Sequence, residues 1–572
     1  MKKYFPFLDW IKTYSKAQFG GDLSAGLTVG VMLIPQGMAY SMLAGLPPIY
    51  GLYASTIPLI VYALLGTSRQ LAVGPVAMVA LLISSGVGAL APLGSTEFIA
   101  LAILLALMVG VIQFSMGAFR LGFLVNFLSH PVIAGFTSAA AIIIGFSQVK
   151  HLLGLSIPRG KVHDTIFNIF QNISDINLPT LVIGVGAVIL LLLSKKISKR
   201  LPGPLIVVLI GMGIVYFMGL DAAGVKIIKD VPGGLPSFGI PNINGKSMIA
   251  LLPIALTISF VGFMESIAVA KAIQSKHKNY EIDANQELIG LGLSNILGSF
   301  FKAFPVTGGF SRTAVNDQAG AKTGVASIIS AVLIIITLLF LTEYFYYLPN
   351  AVLGAIIVVA VFGLIDFAEA KHLWKHDKKD FAVFMVTAIA TLSLGIEEGI
   401  LVGVVLSLGI LIYKVSYPHM AELGQVPGSD EFRNLERFDH LEITDDILIV
   451  RFDAQLYFAN ASSLIEYVEA KIQERPKIKH VIFDFSAVTG IDSSAIHSLK
   501  DLVENLHRQE RALTLSNVRG PVRDILYRNN MMDSDHAMRF YLSNQDAIKD
   551  IKHNAGNEYE QYVSQSNHGK KK

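Results

Sequence analysis

The chain has 572 residues, 52% of them hydrophobic and 16% charged, with 50 glycines, no cysteine and a formal net charge of +3. A soluble domain carries roughly a quarter charged residues, so a plain cytosolic enzyme is excluded. The apolar content excludes a disordered chain, and the lack of cysteine excludes a disulfide scaffold. The average hides a split. Residues 1–419 hold 27 basic and 19 acidic residues, 11% of that segment, whereas residues 420–572 hold 19 and 24, or 28%. An integral membrane domain followed by a water-soluble one is predicted, and nothing in the charge balance points to nucleic acid.

Residues 1–21 contain no long apolar run and no cleavage site. They read as a cytoplasmic amphipathic lead-in, with Phe7 and Trp10 beside Lys12 and Lys16. A transport domain is expected over 22–419. Its apolar stretches lie near 23–43, 50–66, 75–89, 98–117, 128–148, 178–194, 204–220, 249–271, 285–301, 310–320, 322–342, 350–367, 379–396 and 398–416, giving fourteen expected spans. Threaded with both termini in the cytoplasm, these spans place nineteen Lys and Arg inside and seven outside. That asymmetry follows the positive-inside bias.

The third and tenth spans are short and flanked by Gly and Pro. They occupy matching positions in two halves of seven, the pattern of an inverted repeat with a midplane site. Gln70–Pro75 and Ala303–Phe310 each read as an extended stretch feeding a half-helix. Two facing helix N-termini carry free N–H groups and positive dipole ends, which suit an anion. Arg312 is the one basic residue within the apolar zone here, and Ser311 beside it can donate a hydrogen bond. Glu265 is the sole acidic residue in the middle of a long span, which makes it a candidate proton carrier. A static ion pair of Arg312 with Glu265 or Asp317 is the alternative.

The stretch from Pro35 to Tyr53, PQGMAYSMLAGLPPIYGLY, closely resembles the signature of SulP anion transporters. So do Leu65–Arg69 followed by Val73-Gly74-Pro75, and Asn285–Leu288 followed by Gly290 and Asn295. The resemblance implies an α-helical membrane protein of 14 spans arranged as a 7+7 inverted repeat, nucleobase-transporter-like, with gate and core domains in elevator-like motion. It implies substrate binding by Gln36 and Tyr40 on the first span, Val76 and Ala77 on the third, and Phe310, Ser311 and Arg312 on the tenth. Gln36 and Tyr40 are four apart and so share one helical face. Members that use sodium resemble one another in having Asp at the Glu265 position and a hydroxyl residue one turn later. Here that later residue is Val269, which favours protons over sodium.

From about 440 the pattern alternates strand and helix: Ile447–Phe458, 462–474, His480–Phe485, 494–508, Leu513–Ser516 and Val522–Arg528. A small α/β domain over 440–555 is expected, behind a linker at 420–439 and ahead of a disordered tail at 556–572. Phe483–Ala495 resembles the loop of STAS domains, in which the serine at the Ser493 position is a phosphorylation site; the alternative is a helix N-cap at Asp492 or Ser493.

The expectation is therefore a proton-coupled secondary transporter of a small inorganic or carboxylate anion, sulfate foremost, in a bacterial inner (cell) membrane. Sodium-coupled bicarbonate or dicarboxylate uptake, anion exchange and nucleobase transport are the alternatives. A membrane-anchored STAS signalling protein is an alternative of another class. The resemblance also implies a homodimer and cytosolic partners of the STAS domain. No cofactor and no metal site are expected: the sequence has no Walker-type loop and no histidines at metal-ligand spacing.

Overall fold

The computed structural model describes residues 5–123, 129–157, 162–197, 202–277, 280–531 and 538–553. The expected tail at 556–572 lies outside the described residues. Chain contacts divide the protein into Met1–Ser407 and Leu408–Lys572.

The first unit begins with α1 (Phe7–Ile11), α2 (Lys16–Ala44), α3 (Ile49–Tyr53) and α4 (Ile57–Leu65). Trp10 of the lead-in is buried, and Lys16–Gly21 already belong to α2. Ser15 and Gln18 form a capping box at the start of α2, and Gly45 ends it in the left-handed region. Then come β1 (Val73–Gly74), α5 (Ala77–Gly86), α6 (Thr96–Ala118), α7 (His130–Leu153), α8 (Val162–Gln171), α9 (Leu178–Ile197) and α10 (Gly203–Met218). The second half holds α11 (Gly245–His277), α12 (Ala284–Ser299), β2 (Thr307–Gly308), α13 (Phe310–Gln318) and α14 (Val325–Phe340). It closes with α15 (Asn350–Phe362), α16 (Phe367–His376), α17 (Lys378–Ser393) and α18 (Ile396–Ser416).

Every expected span contains a helix, but length and apolarity alone qualify six helices among the described residues as membrane-crossing. At the expected third and tenth spans the helices α5 and α13 are short, and each follows a two-residue strand. Helix α12 packs tightly on α6 because Gly110 and Gly292 bring the two backbones together. A Cβ at Gly292 would lie 2.5 Å from the amide nitrogen of Phe114, so a larger residue would separate the pair. Large apolar side chains such as Val182, Leu193, Leu209 and Phe217 are exposed on α9 and α10, as a hydrocarbon surround permits.

In the second unit six strands form one sheet in the order β4-β3-β5-β6-β7-β8. They are β3 (Met420–Gln425), β4 (Phe432–Asn434), β5 (Ile447–Phe452), β6 (His480–Asp484), β7 (Ala512–Ser516) and β8 (Met538–Tyr541). Strands β5 to β8 run parallel, and β3 joins antiparallel to both β4 and β5. Parallel strands are buried on both faces, hence the near-continuous apolar runs of β5 and β6. Helices α19 (Ala461–Glu474), α20 (Ser493–Arg508) and α21 (Gly520–Arg528) pack with them, and α22 (Asn544–His553) adds Ala547 and Ile548 to a second apolar cluster. The expected linker at 420–439 instead carries β3 and β4. Ala421 and Leu423 of β3 are buried and alternate with polar residues, a pattern the charge density of the segment obscured.

Candidate functional site

Strands β1 and β2 pair antiparallel, Val73 with Gly308 and Gly74 with Thr307. Each feeds a half-helix, α5 from β1 and α13 from β2. Neither Val76, at the cap of α5, nor Gly309, at the cap of α13, supplies a side-chain capping bond, so the first-turn N–H groups of both helices lack side-chain caps. The two caps adjoin: a Cβ at Gly309 would sit 3.3 Å from Val76 Cγ1 and 2.9 Å from Arg312 Nη2. Helical side chains lean toward their own N-terminus, and the Arg312 guanidinium does so, with Nη1 donating to the Pro75 carbonyl at 2.6 Å.

Arg312 is buried, and its Nε and Nη2 have no hydrogen-bond partner. The same holds for Glu265 Oε2 and Gln36 Oε1. Helix α2 packs against both half-helices, carrying buried Gln36 and Tyr40 to them, and Tyr40 lies within electrostatic reach of Arg312 and Glu265. Val76 and Ala77 are buried at the start of α5, whereas Phe310 and Ser311 are exposed. Among the described residues no ion pair joins Arg312 to Glu265 or Asp317: Arg312 donates to a carbonyl, and Asp317 pairs with His277. Buried polar groups without partners are rare in folded proteins. Four such atoms lie on α2, α11 and α13.

Around these orphans many polar groups of the half-helix supports are engaged, although Ser68 Oγ and Asn316 Oδ1 also lack a partner. Asn295 of α12 accepts from the Val306 amide at 2.8 Å and donates to the Val306 carbonyl at 3.0 Å, fixing the approach to β2. Ser266 and Thr307 tie α11 to β2. Glu287, fully buried at the start of α12, accepts from Tyr62 Oη at 2.5 Å and Thr67 N and Oγ1 at 2.6 Å, and from Ser68 N at 3.1 Å. Asp22 accepts from Tyr14 Oη, both Thr323 donors and the Lys322 amide. Sequence reasoning that sought charges at mid-span missed Glu287, in the first turn of α12, and Asp22, in the second turn of α2. Their signal was a carboxylate at the edge of an apolar window with Thr and Ser in a distant loop. In the second unit Ser493 is exposed as the first residue of α20, and Asp492 is the cap, accepting from the Ala495 amide at 2.8 Å.

Residues 19–387 match the model of the sulfate permease family, and residues 440–547 that of the STAS domain. The sequence is 41% identical to "Sulfate transporter 4.1, chloroplastic" of Arabidopsis thaliana, over 95% of this chain and 82% of that protein. It is 35% identical to "High affinity sulfate transporter 2" of Stylosanthes hamata, over 95% and 86%. The structure is similar to that of murine Solute Carrier 26 family member A9, an anion transporter in the inward-facing state. The TM-score is 0.88 at 28% identity, covering 95% of this chain and 93% of that one. It shares its fold with the transmembrane domain of a cyanobacterium bicarbonate transporter, BicA, at a TM-score of 0.60 and 23% identity over 69% and 99%. A multi-pass integral membrane protein with a STAS domain, this chain belongs to the sulfate permease family.

Proposed function

We propose that the chain is a secondary active transporter of a small anion, sulfate foremost, driven by protons and carried in an elevator-type motion. One observation carries the reading: Arg312 Nε and Nη2 are buried without partners at the meeting point of two half-helix N-termini lacking side-chain caps. An oxyanion with several acceptors satisfies the guanidinium and the first-turn amides together. The anion site is assigned to Gln36, Tyr40, Val76, Ala77, Phe310, Ser311 and Arg312. The names of the relatives, sulfate transporters over nearly the whole chain, support sulfate as the cargo.

Glu265 is the coupling group. An ionised carboxylate beside the site repels an entering dianion, and a proton on it removes that repulsion. Anion and proton then travel together. Sodium would need several oxygen ligands, and Val269 on the next turn has no side-chain oxygen. The domain with the half-helices is the moving core, both termini lie in the cytoplasm, and the protein works as a homodimer.

Uptake of labelled sulfate into proteoliposomes, with and without an inward pH gradient, tests the reading. Accumulation should follow the gradient and be competed by excess unlabelled sulfate. Accumulation driven by sodium, or none of any anion in a panel of sulfate, bicarbonate, chloride and dicarboxylates, would overturn it.

A further inference from the structure

Beside Glu265 two hydroxyls close a chain of hydrogen bonds in which every proton is accounted for. Thr307 Oγ1 donates to the Gly262 carbonyl of α11 at 2.5 Å. A hydroxyl has one proton to give, so in the 2.7 Å bond between Ser266 Oγ and Thr307 Oγ1 the donor is Ser266. Ser266 Oγ in turn accepts from the Gly308 amide at 2.8 Å. The sequence runs one way, from the β2 amide through both hydroxyls to the α11 carbonyl.

All of this is buried, Ser266 completely and Thr307 to within 1%. Close approach depends on Gly262, where an added Cβ would meet Thr307 Oγ1 at 3.1 Å. One end of the chain lies next to Glu265 on α11. The other lies in β2, four residues before Arg312 and paired with β1, whose far end leads to the Pro75 carbonyl that holds Arg312. The titratable groups facing Glu265 are Arg312 on α13 and Tyr40 on α2. The hydroxyl chain is therefore a direct polar link between the helix of the carboxylate and the strand that leads into the half-helix of the arginine.

We propose that Ser266 and Thr307 are positioning residues that hold Glu265 in register with Arg312, so that a proton on one alters anion binding at the other. This rests on the transport reading above and names the contact through which coupling passes. Neither hydroxyl is free to touch the anion, since each is consumed within the chain.

Thr307→Val keeps the shape and removes the link, Thr307→Ser restores the hydroxyl, and Ser266→Ala cuts the chain at its other member. Proteoliposome sulfate uptake is measured against sulfate concentration and external pH for each, beside wild type. If wild type shows no proton-driven uptake, the transport reading fails, and the link between Glu265 and Arg312 fails with it. With an active wild type, Thr307→Val and Ser266→Ala should raise the half-saturating sulfate concentration about tenfold, the scale of one lost buried hydrogen bond. They should also flatten the pH dependence, while Thr307→Ser follows wild type. A merely structural role would lower the amount of folded protein and leave half-saturation and pH profile unchanged per folded molecule, and that result overturns the inference. Should Thr307→Val fail to fold, Ser266→Ala, which only deletes an oxygen, decides by the same two readouts.

Discussion

Glu287 is a buried acid of the membrane unit and Glu265 a partly buried one whose Oε2 is out of reach of solvent, and their surroundings are opposite. Glu287 has four donors at 2.5–3.1 Å from a loop 220 residues away in sequence and from Tyr62. Glu265 keeps an oxygen with no partner, opposite an arginine with two nitrogens in the same condition. A buried charge that is fully hydrogen-bonded fixes structure, and one left incomplete is held at a cost in stability that a ligand removes. The comparison separates residues that build the frame from residues that use it, and mutation can test the separation.

The largest effect is expected at the satisfied acid. Glu287→Ala leaves Tyr62 Oη, the Thr67 amide and hydroxyl, and the Ser68 amide without their acceptor. Stripping one partner from a buried charged network costs about 3–5 kcal/mol. Thermal unfolding in detergent should show a large drop in melting temperature, and uptake should fall only in proportion to folded protein. A variant that melts like wild type would remove the distinction. Arg312→Met should do the reverse: sulfate uptake falls to background while the melting temperature holds or rises, because an incompletely paired buried charge is gone. Glu265→Gln comes next, with the fold intact and anion uptake no longer responding to a pH gradient. Unchanged proton dependence there would exclude Glu265 as the coupling group.

The sequence made the unsatisfied half of this comparison visible and left the satisfied half hidden. Arg312 and Glu265 stand out because a charge inside an apolar run has no local explanation. The interrupted third and tenth spans were legible through their Gly and Pro and their matching positions. Glu287 lies in a first helical turn and Asp22 just ahead of an apolar run, where a carboxylate is ordinary, and their partners lie about 220 and 300 residues away. No local pattern encodes such pairings. The pairing of β1 with β2 is similarly remote, being two residues long and lacking the alternation of a strand. In the second unit the parallel strands were legible from their β-branched runs, whereas β3 and β4 looked like linker because they are short, lack β-branched residues and have polar residues among their apolar ones.

The STAS loop offers a smaller effect of the same kind. Asp492 caps α20, accepting from the Ala495 amide, and also accepts from the Phe458 amide at 3.0 Å. Asp492→Ala should cost about 1 kcal/mol of stability in the second unit. Ser493→Ala, exposed and outside the cap, should change melting by no measurable amount. Equal losses in the two would reverse the assignment of cap and neighbour.

The smallest effect belongs to a partly exposed acid, Asp453, which extends the comparison to a third environment. Partial burial disfavours its charge, but hydrogen bonds from Arg451 and His419 outweigh that and hold its carboxyl below the ordinary range. Arg451 reaches it with Nε at 2.6 Å and Nη2 at 3.0 Å, and His419 Nδ1 lies 2.8 Å away. A depressed folded value means the unfolded chain binds the proton more readily. The stabilisation is complete above the unfolded value of about 3.9 and is lost as pH falls through the lower folded value. Stability between pH 5 and 8 should therefore not depend on this group, and an acid titration followed by carboxyl NMR should place its midpoint below about 3.9. Arg451→Gln should move that midpoint upward toward the ordinary value, with only a small change in melting at neutral pH, because solvent screens a half-open pair. A midpoint indifferent to Arg451 would mean that solvent, rather than the guanidinium, sets the charge of Asp453.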